Sequence, residues 1–93
     1  MELIVDWAAI KTPEEFYDYL LPILGAPEWH GRNLNALNDS VVTGDIYESG
    51  PPFNIEHINC SKSVGSIREF QLTVISIFTE SVIENGGSQI VRA

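Results

Sequence analysis

Residues 53–91, FNIEHINCSKSVGSIREFQLTVISIFTESVIENGGSQIV, decide the fold class. Phe53–Ile58 alternates Phe53 and Ile55 against Asn54 and Glu56, the period-two pattern of a half-buried strand. Ser66-Ile67-Arg68-Glu69 has the form of a capping box and predicts a helix start. From there Ile67, Phe70, Val74, Ile77 and Phe78 fall within one helical arc, and Glu69, Thr73, Ser76, Glu80 and Glu84 fall on the opposite one. Asn85-Gly86-Gly87 ends that helix just past Glu84, and Gln89–Val91 is a short terminal strand. Strands separated by a helix pair in parallel, through a right-handed crossover.

The N-terminal half extends this pattern. Leu3-Ile4-Val5, within Glu2–Trp7, is a short continuous apolar run and predicts a strand buried on both faces. Thr12-Pro13-Glu14-Glu15 starts a helix: Thr12 caps it, Pro13 takes the first turn, and Glu15 closes a capping box. Phe16, Tyr19, Leu20, Ile23 and Leu24 are spaced to form its buried face. Pro22 should kink or shorten its last turn, and Gly25 should stop it. Ala26–Arg32 is a loop carrying Trp29 and His30. Asn33 is the N-cap of a second helix, Leu34 to about Val42, stopped by Gly44. On that helix Leu34, Leu37 and Val41 point one way and Asn35, Asn38 and Asp39 the other. Asp45–Pro52 is a turn-rich connection, and Cys60–Gly65 is at most one loose helical turn. The expectation is a single α/β domain over residues 1–93, with a three-stranded parallel sheet packed by three to four helices.

Composition narrows the function. The 93 residues carry 13 acids and 5 bases, a formal charge of −8. Such a surface repels phosphate backbones and argues against a nucleic-acid binder; it suits capture of a basic partner. The apolar fraction of 44% and charged fraction of 19% are ordinary for a globular chain. Cys60 is the only cysteine, so no intrachain disulfide forms. The start, MELIVDWAAIKTPEEF, has no basic region before its apolar run, and no apolar run is long enough to span a bilayer. The expected location is the cytoplasm.

Catalytic signatures are weak. His57 and Cys60 are three residues apart, which on a strand places them on opposite faces. Neither a nucleophile elbow nor a phosphate-binding glycine loop is present. His30 and His57 are isolated in sequence and read as surface or packing histidines, with no metal or cofactor expected. Removing both would abolish activity if the chain were an enzyme. The binding reading is better supported. Trp29-His30-Gly31-Arg32-Asn33 leads into a helix whose outer face is Asn35, Asn38 and Asp39, and an exposed aromatic beside a polar helix face suits a protein interface. Burial of Trp29 and a merely solvated asparagine face are the competing reading.

The segment Ala26-Pro27-Glu28-Trp29-His30-Gly31-Arg32-Asn33-Leu34-Asn35-Ala36-Leu37-Asn38-Asp39 resembles the signature of the barstar family, intracellular inhibitors of the bacterial ribonuclease barnase. The shared pattern runs Pro-Glu-aromatic-aromatic/His-Gly-x-Asn-Leu-Asp/Asn-Ala-Leu-x-Asp. Elsewhere the likeness is looser. Pro52 to Glu80 aligns without a gap, Phe78-Thr79-Glu80 matches a Phe-x-Glu on the last helix, and a few extra residues fall in the Asp45–Pro51 connection.

The resemblance implies a barstar-like fold and an inhibitor that plugs a ribonuclease active site with its second helix and the preceding loop. Carboxylates there would stand in for RNA phosphate, making charge-assisted hydrogen bonds to basic side chains. Barnase with barstar is itself a standard example of steered association and of interface hot spots. By position, Asp39 matches the acid that enters the phosphate site. Glu80 matches a peripheral acid on the last helix, with Glu69 and Glu84 on the same polar arc. Trp29 matches an aromatic contact, with His30 and Gly31 beside it and Asn33 opening the helix. Gly31 would bring backbone close to the partner or simply make a turn.

The departures are informative. Asn35 stands where the family carries a second helix acid, Asn38 where it has tryptophan, Asp45 where it has another interface aromatic, and His30 where it has tyrosine. An amide facing a guanidinium makes a weaker bond than a carboxylate does. The expected partner is therefore not barnase itself but a related basic extracellular ribonuclease, or the ribonuclease domain of an interbacterial toxin. In the second case the chain is an immunity protein. It should be a monomer when free and form a one-to-one complex with its target. The alternative is a barstar-fold adaptor or homo-oligomer using Leu72 and Ile83, apolar residues on the polar arc of the last helix.

Overall fold

The computed structural model describes residues 1–26, 30–43 and 52–93. In chain order they form β1 (Glu2–Asp6), α1 (Pro13–Leu24), α2 (Leu34–Asn38), a π-helical turn (Asp39–Thr43), β2 (Phe53–Ile58), a 3-10 turn (Cys60–Lys62), α3 (Ser66–Asn85) and β3 (Gly87–Val91). The three strands make one parallel sheet in the order β1-β2-β3. Val5 lies opposite His57, and Ile55 opposite Gln89. The predicted three-stranded parallel α/β architecture is therefore present, with three α-helices. The expected stop at Gly44 and the Asp45–Pro51 connection lie outside the described residues.

The sheet has one dry face. Leu3, Val5, Phe53, Ile55 and His57 point into the core, with residues from all three helices and the π turn. The intervening side chains point to solvent, and Ile4 is 57% exposed. This corrects the expectation that β1 is buried on both faces. A run of three apolar residues cannot show whether helices cover one side of a sheet or two; among the described residues they cover one.

Helix α1 begins as its sequence dictates. Thr12 Oγ1 accepts from the Glu15 amide at 3.3 Å and Glu15 Oε1 accepts from the Thr12 amide at 3.1 Å. It ends in a Schellman motif: Gly25 adopts φ 68°, its amide reaches the Pro22 carbonyl, and the Ala26 amide reaches that of Leu21. Pro22 sits in the last turn without shortening the helix, which runs to Leu24. The buried face is Phe16, Tyr17, Leu20, Leu21 and Leu24, so the predicted stripe is corrected at two positions. Tyr19 and Ile23 lie at the margin, 38% and 41% exposed. The Tyr19 hydroxyl donates to the Ile4 carbonyl, closing the outer edge of β1 with a side chain.

The core centres on Trp7. Its ring stacks on Phe16 at 5.6 Å and lies 6.4 Å from Phe70, edge to face. Its indole N–H donates to His57 Nδ1 at 3.1 Å. The His57 proton is therefore on Nε2, which donates to Gln89 Oε1 at 2.8 Å, and Gln89 Nε2 donates to Thr79 Oγ1 at 2.7 Å. One polar chain thus runs from the core through β2 and β3 to α3. Burial, only partly offset by the Gln89 bond, holds the His57 pKa below its ordinary value.

The long helix α3 spans Ser66–Asn85 and buries Ile67, Phe70, Val74, Ile77 and Phe78 as predicted. The capping box at its start does not form. Gly65, at φ 65°, takes the cap position with no side-chain hydrogen bond, and Ser66 is already helical. Strand β3 begins at Gly87, two residues earlier than expected. A Cβ on Gly87 would lie 2.1 Å from the Phe53 carbonyl oxygen, so the chain enters the sheet there only because the residue is glycine.

Candidate partner-binding site

The candidate face is built on α2. Asn33 is extended (φ −151°, ψ 167°) and its side-chain oxygen accepts from the Ala36 amide at 2.8 Å, so the predicted N-cap is present. The α-helix then lasts only five residues, and from Asp39 to Thr43 the chain winds as a π turn. This corrects the expected continuous helix. In a π turn the carbonyl pairing shifts by one residue, and such turns collect at functional sites. Here α3 satisfies two of the carbonyls: the Ser81 hydroxyl donates to Val41 at 2.9 Å and Asn85 Nδ2 donates to Val42 at 2.7 Å. Ser81 and Asn85 are one helical turn apart, so one edge of α3 holds the turn.

Asp39 stands at the junction of α2 and the π turn, with its side chain exposed. Asn35 is exposed beside it and Asn38 half-buried, while Leu37 and Val41 are fully buried on the opposite face and Leu34 packs against the core. The predicted division of this helix into an apolar and a polar side is therefore present.

Glu80 is exposed on α3 and adjoins Ser81, the residue that grips the π turn. Glu84 lies one turn further along the same side. Glu69 is eleven residues before Glu80, roughly 16 Å along the helix axis, away from this face. Glu80 and Glu84 therefore lie on the stretch of α3 that packs against the π turn, and Glu69 lies outside it.

The loop before α2 is held from two sides. Arg32 reaches α1, where it pairs with Glu14 Oε2 at 3.0 Å and with Asp18, donates to the Glu14 carbonyl at 3.0 Å, and lies 5.8 Å from the centre of the Tyr17 ring. Two carboxylates answer one guanidinium, so the cation that precedes α2 in the chain is neutralised in place. Exposed pairs of this kind add little stability; together with the bond to the Glu14 carbonyl they tie the end of the loop to α1. His30 is only 6% exposed, unlike the surface position open to a contact residue. Its Nδ1 is 2.7 Å from the Gly31 carbonyl and its Nε2 faces the Ser40 hydroxyl. Gly31 is confined from the inside: a Cβ would come within 2.8 Å of Asn33 Nδ2 and 3.1 Å of Ala36 Cβ. Trp29 lies outside the described residues.

The other chemistry-bearing groups lie elsewhere. Cys60 sits in the 3-10 turn after β2 rather than on the strand, and both it and His57 are buried. Burial pushes the Cys60 thiol up, which works against thiolate formation. Among the described residues no group of three or more His, Cys, Asp or Glu is placed to hold a metal ion, and no helix is long and apolar enough to cross a membrane.

Ser40, Ser81 and Asn85 were not visible as site residues in the sequence. The available signal was the polar pair Ser81 and Asn85 at helical spacing, next to the apolar arc of α3.

A short helix capped by Asn33, broken at an exposed acid and stapled to a parallel sheet and its helices, marks a small α/β domain with an exposed polar helix face that ends in a carboxylate. The chain belongs to the barstar family: the family model described as Barstar (barnase inhibitor) matches residues 1–90. No curated protein matches the chain. The family is one of ribonuclease inhibitors that act by binding a protein partner.

Proposed function

We propose that this chain inhibits a basic bacterial ribonuclease, or the ribonuclease domain of a toxin, by occluding its active site one-to-one. The free chain is a monomer, has no enzymatic activity of its own, and acts in the cytoplasm of the cell that makes the toxin. The observation that carries this reading is the exposure of Asp39 at the junction of α2 and the π turn; the Arg32 guanidinium before α2 is already occupied by Glu14 and Asp18. A ribonuclease cleft rich in Arg, Lys and His would receive the Asp39 carboxylate in place of a phosphate. Asn35 and Asn38 would supply neutral hydrogen bonds around it, and Glu80 a peripheral charge. Gly31 and Asn33 shape the approach, and Trp29 is carried into the contact by its position in the signature. The net charge of −8 accelerates encounter with a basic enzyme.

The test is a titration into RNA-cleavage assays of several basic microbial ribonucleases, including any encoded beside the gene. Silencing of one enzyme at equimolar chain, with an association rate that falls as salt rises, is the expected result. No inhibition across the panel would count against the reading.

A second reading is an adaptor or homo-oligomer. Leu72 is 53% and Ile83 74% exposed on α3, which gives it a specific footing. Sizing at several concentrations separates the two: concentration-dependent growth supports the oligomer, and a constant monomer counts against it.

A further inference from the structure

His30 and Ser40 are buried polar side chains that the inhibitory reading does not use. Ser40 is fully buried, although it directly follows the exposed Asp39. Its hydroxyl lies 2.5 Å from His30 Nε2 and 2.9 Å from the Ala36 carbonyl. The His30 ring, through Nδ1, also holds the Gly31 carbonyl at 2.7 Å. A carbonyl only accepts, so Nδ1 carries a proton and the ring bridges the loop to the first residue after Asp39. On the far side of the same turn, Ser81 and Asn85 grip the carbonyls of Val41 and Val42.

We infer that His30 and Ser40 are a positioning pair that holds the π turn in register and so fixes where Asp39 is presented. The functional consequence rests on the reading of Asp39 as the inhibitory acid; the structural claim does not. Passing from α to π winding at Asp39 forgoes regular pairing, and a five-residue turn has little stability of its own. Its position must be imposed by anchors on both sides. The two α3 side chains supply one anchor. On the other side the bridge through His30 ties Ser40 to the loop, and Asn33 fixes the start of α2. Asp39 lies between Asn33 and Ser40, so its backbone is held while its carboxylate is left free. A contact residue held this way loses less freedom on binding, which favours affinity without adding a contact.

The test is native-state amide exchange on the free, isotope-labelled chain, comparing wild type with Ser40→Ala. That substitution removes one hydroxyl and no packing volume of note, so the chain should fold. Amides of Asn38–Thr43 should exchange at least tenfold faster, while those of β2 and the middle of α3 stay within about twofold. His30→Gln, which cannot bridge in the same geometry, should give the same local pattern. Unchanged exchange in Ser40→Ala would overturn the inference. So would a uniform rise across the whole core, because that marks a residue serving overall stability. The inhibitory reading fails separately: Asp39→Ala that leaves inhibition intact would retire it without touching the exchange result. Combining the two substitutions against the ribonuclease that the panel identifies reads the link between them. Ser40→Ala should weaken inhibition about tenfold when Asp39 is present and hardly at all when it is alanine. Equal losses in both backgrounds would contradict action through Asp39.

Discussion

Asp39 and Ser40 are neighbours in the chain with opposite surroundings: the Asp39 carboxylate is exposed, and the Ser40 hydroxyl is fully buried against His30 Nε2. The change from α to π winding falls between Asn38 and Asp39. The acid is therefore the last solvent-facing group before the chain turns inward at Ser40 and Val41.

Ser81→Ala should destabilise the domain. Ser81 is fully buried and donates to the Val41 carbonyl, which would be left in the core without that partner. The expected loss is about 1–3 kcal/mol, the usual cost of a buried polar group deprived of its hydrogen bond. Denaturant unfolding measures it.

Gly87→Ala should cost more than about 1 kcal/mol for two separate reasons. The residue has φ 97°, and an added Cβ would meet the Phe53 carbonyl oxygen at 2.1 Å. The start of β3 would have to move away from β2. Gly86→Ala, where a Cβ meets nothing within 4 Å, keeps the positive-φ strain but not the collision and should cost less. Thermal unfolding of the two variants separates strain from collision.

Tyr17 predicts behaviour at high pH. Its hydroxyl is buried with no hydrogen-bond partner among the described residues. Burial first, and the Glu14 charge second, push its pKa up to about 12, with Arg32 opposing. The folded state thus holds the proton more tightly than the unfolded chain, whose tyrosine titrates near 10. This contribution is fully present below pH about 10 and is lost as pH rises towards 12. Tyr17→Phe should remove that slope, and at neutral pH it should leave stability unchanged or raised, because no hydrogen bond to the described residues is lost. Urea midpoints between pH 8 and about 12 test both points.

His57 predicts behaviour in mild acid. Burial lowers its pKa, and Nδ1 is already committed as acceptor to Trp7. The unfolded histidine takes up its proton first, near pH 6.5, so stability from this residue is present above that pH and falls as pH drops below it. His57→Phe should lose stability at pH 7, since the Trp7 indole N–H loses its acceptor, but its stability should no longer carry the His57 share of the slope below pH 6.5. An undiminished slope in the variant would contradict the assignment.

Most of the frame was legible in the sequence because it rests on local rules. Thr12-Pro13-Glu14-Glu15, Gly25 and Asn33 each specify a helix end through local chemistry, the caps by side-chain acceptors and Gly25 by its positive φ, and each is found in that role. Expectation and structure part where tertiary placement decides. Leu3-Ile4-Val5 does not say whether a sheet is covered on one face or two. The buried stripe of α1 includes Tyr17 and Leu21, while Tyr19 lies at the edge of β1 with its hydroxyl on the Ile4 carbonyl, a placement set by the sheet and not by helical spacing. Ser66 matches a capping box, but Gly65, with a positive φ, occupies the cap instead. At the site, Asp39 and its outward asparagines followed from helical spacing. His30 and Ser40 are ten residues apart with no common period, and the π turn depends on anchors supplied by α3. Pattern reading cannot link such residues.

If Asp39 is the inhibitory contact, the dissociation constant of Asp39→Ala for the ribonuclease that the wild-type chain silences will show it. The residue is exposed, so its replacement should leave folding stability within about 0.5 kcal/mol. Binding should weaken by about 2 kcal/mol or more, roughly thirtyfold, as for a hot-spot residue. A dissociation constant unchanged from wild type would contradict the account.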